Sequence, residues 1–209
     1  MFPYKAIMTK LWGPLGWMTL HSVSLNYPEH PSQADKILAG KFIDLFGETI
    51  SCIHCKNHFN MMKSMYTSAN PNYLDSKQSF ALFVFRAHNT VNKRLDKPIQ
   101  KTVAECLQTL KNATVNTSLP QFRQAYLSYL MRNWGRDHTG EGMMMKGSVK
   151  QMIDINNQYW SPRDIPIPDL LEDDVMTLIE NSRVRIAPSG AVSNIQVGFR
   201  GGKLQLKRN

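Results

Sequence analysis

Cysteine is scarce in this chain of 209 residues, with only Cys52, Cys55 and Cys106 present. Three cysteines make no disulfide framework, so a small stapled scaffold is excluded and a reducing compartment is the natural setting. Acidic residues are also few. Asp and Glu number 16 against 25 Lys and Arg, which gives a formal net charge of +9 and a pI of about 9.5. That balance favours acidic partners, whether nucleic acid, an anionic surface or a polyanionic cofactor, and does not choose among them. Long hydrophobic runs are missing too. Even the apolar stretch ALFVF at 81–85, six residues with Phe80 before it, is far too short to span a bilayer, so no membrane partner is expected. The opening MFPYKAIMTKLWGP has neither the apolar centre nor the small-residue cleavage site of a signal peptide, and the expectation is a chain outside the secretory path. No internal repeat is visible. Hydrophobic residues nevertheless make up 42% of the chain, enough for a sizeable core.

What is present is mostly helical in pattern. Residues 12–27 read as a helix with Pro14 in its first turn and Pro28 closing it. A second helix follows Ser32 as cap, with Ile37, Leu38, Phe42, Leu45 and Phe46 returning to one face and Gly47 weakening its end. A short third helix is expected to start at the cysteines, with Phe59, Met62 and Tyr66 continuing the face of Cys55. TSANPNYLDS reads as a turn-rich connection. In the fourth helix Phe80, Val84, Ala87, His88, Val91 and Leu95 recur at steps of three and four, and Lys97-Pro98 ends it. A fifth covers Thr102 to Leu110 with Val103, Cys106, Leu107 and Leu110 inward. The expected fold class is therefore mainly α, a bundle of four helices plus a short fifth.

The character changes after KNATVNTSLP. QFRQAYLSYLMRNWGRDH is another amphipathic helix, whereas TGEGMMMKGS shows no clear periodicity. A further helix is expected at 169–182. The tail from Arg183 alternates around Pro-Ser-Gly and Gly-Gly turns, which suggests a short β element. It carries Arg183, Arg185, Arg200, Lys203, Lys207 and Arg208 and no acidic residue. Such a tail is either a solvated face or a contact for nucleic acid or an acidic client. Two domains are expected, 1–112 and a mostly helical 118–209.

Cys52 and Cys55 form a C-x-x-C with three readings. Zinc needs four ligands, for which Cys52, Cys55, His58 and His88 are available, but no second C-x-x-C or H-x-x-x-H completes the pattern. A zinc-stabilised binding module for nucleic acid or an acidic partner is the alternative function on that reading. Both cysteines could instead be small hydrophobes in a helical core. The redox reading places the pair at a helix start, where backbone N–H groups and the positive end of the helix dipole lower a thiol pKa. Because the pair lies between helices and not after a strand, a thioredoxin fold is disfavoured. A helical redox protein needs a further electron acceptor, hence a cofactor.

Two flanking segments suit one. Upstream stands LWGPLGWMTLHSVSLNYP, and downstream FRAHNTVNKRLDKP. His88 and Asn92 lie four apart on one helix with Asn89 and Lys93 beside them. An imidazole can stack on an aromatic ring, and Asn offers donor and acceptor together. Lys93, Arg94 and Lys97 are placed to meet phosphates. Taken singly, each also reads as an ordinary core histidine or a solvated basic turn.

Together the three segments resemble the ERV/ALR family of FAD-linked sulfhydryl oxidases, whose pattern is W-x-x-L-H ending in Tyr-Pro, then C-x-x-C, then H-N-x-V-N with Leu-x-Lys-Pro. Here these are Trp17, Leu20 and His21, Tyr27 and Pro28, Cys52 and Cys55, His88, Asn89, Val91 and Asn92, then Leu95, Lys97 and Pro98. The resemblance covers about residues 12–110, and the WGP at Trp12 to Pro14 is similar to the viral branch, nearest to its giant-virus members. It implies a helical bundle that cradles FAD as a homodimer. It also implies electron flow from protein dithiol substrates to the C-x-x-C, to flavin and to O2, giving hydrogen peroxide. It places Cys55 against the flavin and Cys52 toward incoming thiols. As cofactor-binding residues it implies Gly13, Trp17, His21, Tyr27, His88, Asn89, Asn92, Lys93 and Lys97, with no metal. Cys106 is expected in the core. The viral branch implies the host cytoplasm, and the virion, as the place of action. The extra structural disulfide and distal shuttle pair of many members have no counterpart in these cysteines. Either clients reach Cys52 directly or a shuttle lies on a tail beyond this sequence.

Overall fold

Seven α-helices account for most of the described residues. The computed structural model describes the backbone of residues 3–163, 196–200 and 203–207, and side chains from 12 to 163. The helices are α1 (Pro3–Leu25), α2 (Gln33–Thr49), α3 (Ile53–Ala69), α4 (Lys77–Arg94), α5 (Val103–Ala113), α6 (Leu119–Gly135) and α7 (Gly140–Ile155). A π-helical turn, Asn156–Trp160, continues from α7. In the tail, β1 (Gln196–Arg200) and β2 (Lys203–Lys207) pair antiparallel, Gln196 opposite Lys207 and Arg200 opposite Lys203. The helix expected at 169–182 lies outside the described residues. No helix among the described residues is long and apolar enough to cross a membrane.

Local chemistry sets the helix starts. Ser32 caps α2 in a reciprocal box: its N–H donates to Asp35 Oδ2 at 2.8 Å while the Asp35 N–H donates to Ser32 Oγ at 3.2 Å. Ser118 and Gln121 repeat the device at α6, and Ser76, Thr102 and Thr139 cap α4, α5 and α7. The C-terminus of α4 is a Schellman turn. Asp96 takes a left-handed φ of 52°, Asp96 N–H donates to Lys93 O, and Lys97 N–H donates to Asn92 O at 2.9 Å. That geometry explains why the Leu-Asp-Lys-Pro segment stops the helix and turns the chain back along it.

Several expectations change. Pro14 is inside α1, not in its first turn, because the helix begins at Pro3. α3 is a full 17 residues and not short. Leu95 is 42% exposed, since it follows the last helical turn and leaves the buried face. The Gly/Met stretch without visible period is the first half of α7, where Met145, Val149, Met152 and Ile155 face inward at steps of four, three and three.

The largest correction concerns the boundary near 112–120. α6 packs on α1, α7 on α2, and α6 on α7. Tyr126, Leu127, Leu130, Trp134, Val149, Met152 and Trp160 belong to one apolar cluster with Leu20, Val23, Phe42, Ile43 and Phe46. Over its described residues the expected 118–209 domain therefore shares the core of the first five helices. Trp160 is fully buried, with its ring 6.1 Å from Phe42 and 6.4 Å from Tyr27. Arg123 is also fully buried. It donates from Nε to Asn156 Oδ1 at 2.9 Å and from Nη1 to Ser22 Oγ, so a charged side chain joins α6 to α1 and to the π turn. A smaller cluster, with Leu25, Leu82 and Phe85, seats α5 through Val103, Cys106, Leu107 and Leu110. Cys106 is buried as expected, and burial pushes its thiol pKa up to about 12, so it stays an inert thiol.

Candidate redox and cofactor site

Cys52 and Cys55 are joined in a disulfide with Cα atoms 5.2 Å apart. Cys52 is the N-cap of α3, and its Sγ accepts the Cys55 N–H at 3.3 Å. Both sulfurs are half-buried and pack on the main core. A thiolate formed at this helix start meets free N–H groups and the positive end of the macrodipole, which favours its charge. One turn further, His58 is half-buried. Burial first, then the Arg94 guanidinium, holds its pKa below the ordinary imidazole value. The charge of Arg94 reaches His58 because the cysteine helix runs near the basic end of α4.

Of the residues available to the zinc reading, the two thiols bond each other and His88 meets His21, and among the described residues no three His, Cys, Asp or Glu side chains come together for a metal.

α1 and α4 bring the predicted aromatic and imidazole groups together. The Trp17 indole stacks on the His88 ring with centroids 4.4 Å apart and planes 9° from parallel. His21 Nε2 lies 3.0 Å from His88 Nδ1, so the two imidazoles share one proton between those nitrogens. Burial, then the neighbouring His88, pushes the His21 pKa well below its usual value. Burial, then Lys97, lowers that of His88 to about 4. Both rings are thus neutral near pH 7. The result is a flat, uncharged, half-buried surface braced from behind by a second imidazole.

The remaining predicted residues divide. Asn92 is half-buried, and Lys93 and Lys97 are exposed beside Arg94, which leaves a cationic rim at the end of α4. A Cβ placed on Gly13 would meet nothing within 4 Å, so packing within the chain does not require glycine there. Asn89 turns to the backbone: its Nδ2 donates to Gln100 O at 2.8 Å, and Gln100 N–H donates to its Oδ1 at 3.1 Å. Tyr27 is fully buried. Its hydroxyl donates to Leu74 O at 3.0 Å, and its ring meets Phe80 edge-on, so it serves the core and corrects the expected cofactor contact. Sequence reasoning missed the fold of 95–101 back onto α4, which Asn89 fixes; its available signal was Asp96 within the Leu-Asp-Lys-Pro run, a residue type that tolerates the left-handed position.

Comparison with known proteins follows this geometry. A model of the Erv1 / Alr family matches residues 15–116, ending after α5, so α6 and α7 fall outside it. The chain is 35% identical over 88 residues to the FAD-linked sulfhydryl oxidase of African swine fever virus (isolate Tick/Malawi/Lil 20-1/1983), covering 42% of this chain and 71% of that protein. It is 33% identical over 93 residues to the putative FAD-linked sulfhydryl oxidase 096R of Invertebrate iridescent virus 3, covering 44% and 62%. It is 31% identical over 86 residues to the mitochondrial FAD-linked sulfhydryl oxidase ERV1 of Saccharomyces cerevisiae, covering 41% and 43%.

Proposed function

Because this chain belongs to the Erv1 / Alr family, we propose that it is an FAD-linked sulfhydryl oxidase that forms disulfides in protein dithiols through Cys52 and Cys55. The observation that carries the reading is the Trp17–His88 stack braced by a neutral His21, on the same core against which the C-x-x-C disulfide packs. The donor set fits the cofactor. A flat aromatic wall suits an isoalloxazine, Asn92 suits its polar edge, and Lys93, Arg94 and Lys97 suit a pyrophosphate. FAD held by these residues would supply a two-electron acceptor for the dithiol, with O2 as the final acceptor and hydrogen peroxide as the product.

The chain's own residues carry the thiol chemistry. A client thiolate attacks Cys52 Sγ, the Cys52–Cys55 bond breaks, and Cys55 leaves as thiolate. The client's second thiol loses its proton and attacks the client sulfur of the mixed disulfide, closing the client disulfide and releasing Cys52. Two electrons then reside in the reduced pair. Departure of Cys55 from the first turn of α3 is favoured because a thiolate there is stabilised by the helix N-terminus. Trp17 and His88 orient the cofactor, and His21 fixes the His88 ring and its tautomer. The homodimer belongs to the same proposal and is checked by light scattering of the intact protein.

The deciding experiment is Cys55→Ser. It should keep bound flavin, seen in the visible spectrum, and lose oxygen consumption with dithiothreitol. A wild-type protein that binds no flavin, or a Cys55→Ser variant as active as wild type, sinks the assignment.

A further inference from the structure

Beyond the cofactor wall, the solvent face of α3 differs from that of its neighbours. Among the described residues α2, α4, α5, α6 and α7 each expose at least one charged side chain, Lys41, Arg94, Glu105, Arg132 and Lys146 among them. No exposed residue of α3 is Lys, Arg, Asp or Glu. Its two lysines, Lys56 and Lys63, are half-buried, and Lys63 pairs with Asp44. Large apolar side chains take the place of charge: Ile53 is 55% exposed, Met61 57% and Met65 51%. Their spacing of eight and four, with exposed Asn57 between the first two, lays them along one slowly winding side of the helix, about 6 Å for every four residues. Single exposed apolar residues are ordinary. This stripe, however, begins at the residue after Cys52, the N-cap of the same helix.

Thiol exchange dictates what comes to lie there. In the mixed disulfide the client's Cα stands about 5.5–6 Å from that of Cys52, so the residues beside the client cysteine rest against the start of α3. An extended chain carries every second side chain on one side, about 6.6 Å apart, which nearly matches the step of the stripe. From Ile53 to Met65 the stripe runs about 18 Å, the reach of five or six extended residues. A second copy of this chain fits less well, because a stable dimer brings about 20–30 residues from each partner and the stripe is one face of one helix. Resting on the thiol-oxidase reading above, we propose that the exposed face of α3 is a docking strip for the client chain. It receives an extended, uncharged segment whose apolar side chains recur at alternate positions within about six residues of the exchanging cysteine. Such segments are open in chains that have not yet folded, which is when a structural disulfide is made. The unbranched, polarisable methionine side chain lets one strip take apolar partners of different shape.

The test uses the intact flavin-loaded protein and two synthetic dithiol peptides. Both carry the same pair of cysteines; one has Leu at alternate positions on either side of the pair, and the other has Gln at those positions. Oxygen consumption gives kcat/KM for each peptide and for dithiothreitol. Wild type should favour the Leu peptide over the Gln peptide by about 5- to 20-fold. In the double variant Met61→Gln/Met65→Gln that preference should fall to about 2-fold, and the ratio of Leu-peptide to dithiothreitol kcat/KM should fall with it. Ile37→Gln, which removes a similarly exposed apolar residue from α2, should keep the preference. A wild type that does not distinguish the peptides, an unchanged preference in the double variant, or the same loss in Ile37→Gln overturns the strip. A lower mass of the double variant by light scattering, with the preference intact, also overturns it and makes this face a contact between copies. A wild-type protein that oxidises neither peptide nor dithiothreitol instead overturns the functional reading on which the strip rests.

Discussion

Two imidazoles held without charge inside a protein make its stability depend on acid. Burial, then Lys97, lowers the His88 pKa to about 4, and burial, then His88, lowers that of His21. The unfolded chain binds these protons near the ordinary value of 6.5, so between there and about 4 it holds more protons than the folded one. Stability from this source is complete above about pH 6.5 and is lost as pH falls through 4. For His88 alone the full loss is on the order of 3 kcal/mol. Urea unfolding of the flavin-free protein should therefore show a steep decline from pH 7 to 5, and His88→Phe, which keeps a flat ring against Trp17, should flatten it. Equal slopes in the two proteins would remove the histidine pair as the cause. At this scale the sequence was partly readable. Trp17, His21 and His88 declare themselves because stacking and imidazole chemistry follow from residue type. Tyr27 and Asn89 have the same chemistry available to a ligand as to Leu74 or Gln100, and only folding decides which takes it. Arg123 is of a residue type that is ordinarily exposed; its burial depends on Ser22 and Asn156, which are remote in the chain.

At the level of elements, caps were legible and composition misled. Ser32 and Thr102 mark helix starts because a short hydroxyl side chain meets an orphan N–H wherever it stands. α7 was hidden by Gly140, Gly142 and Gly147, each a poor helix former, and by a methionine run that blurs the period. Its glycines are not equivalent. A Cβ on Gly142 would lie 2.4 Å from Asp137 O and 2.6 Å from Asp137 Cβ, where Asp137 Oδ1 also accepts the Thr139 N–H and hydroxyl ahead of the helix. A Cβ on Gly147 meets nothing within 4 Å. Gly142→Ala should destabilise the protein by about 1–3 kcal/mol through that overlap. Gly147→Ala should stabilise it by about 0.5–1 kcal/mol by removing helix-interior glycine. Thermal melts of the two variants should move in opposite directions. A shift of the same sign in both would mean that close approach to Asp137 does not fix the start of α7.

For the whole molecule, the sequence separates what the structure joins. The composition shift after residue 112 and the end of the family match at residue 116 both fall at the expected boundary, yet burial ignores it. Hydrophobic pattern shows which face of a helix is apolar and not which partner covers it, so α6 and α7 could be read as a second unit. In the fold they cover α1 and α2. A chain ending at residue 112 would lose Tyr126, Leu127, Leu130, Trp134, Val149, Met152 and Trp160 from the main cluster. Burial of each such side chain contributes about 1.5–3 kcal/mol. Together these rival the roughly 5–15 kcal/mol by which a whole domain is stable. The loss would bare Leu20, Val23, Phe42 and Ile43, all fully buried here, as one apolar face, and would leave Ser22 without the Arg123 guanidinium. α1 also carries Trp17 and His21, so loosening it disturbs the cofactor wall. Truncation at 112 should therefore give an insoluble or self-associated product that retains little flavin, although every residue assigned to the cofactor and to thiol exchange is still present. A truncation extended to residue 163 should keep α6, α7 and Trp160 and remain soluble and yellow. Size-exclusion chromatography with flavin absorbance distinguishes them. A soluble, yellow, monomeric fragment ending at 112 would show that the first five helices fold without the pair that covers them.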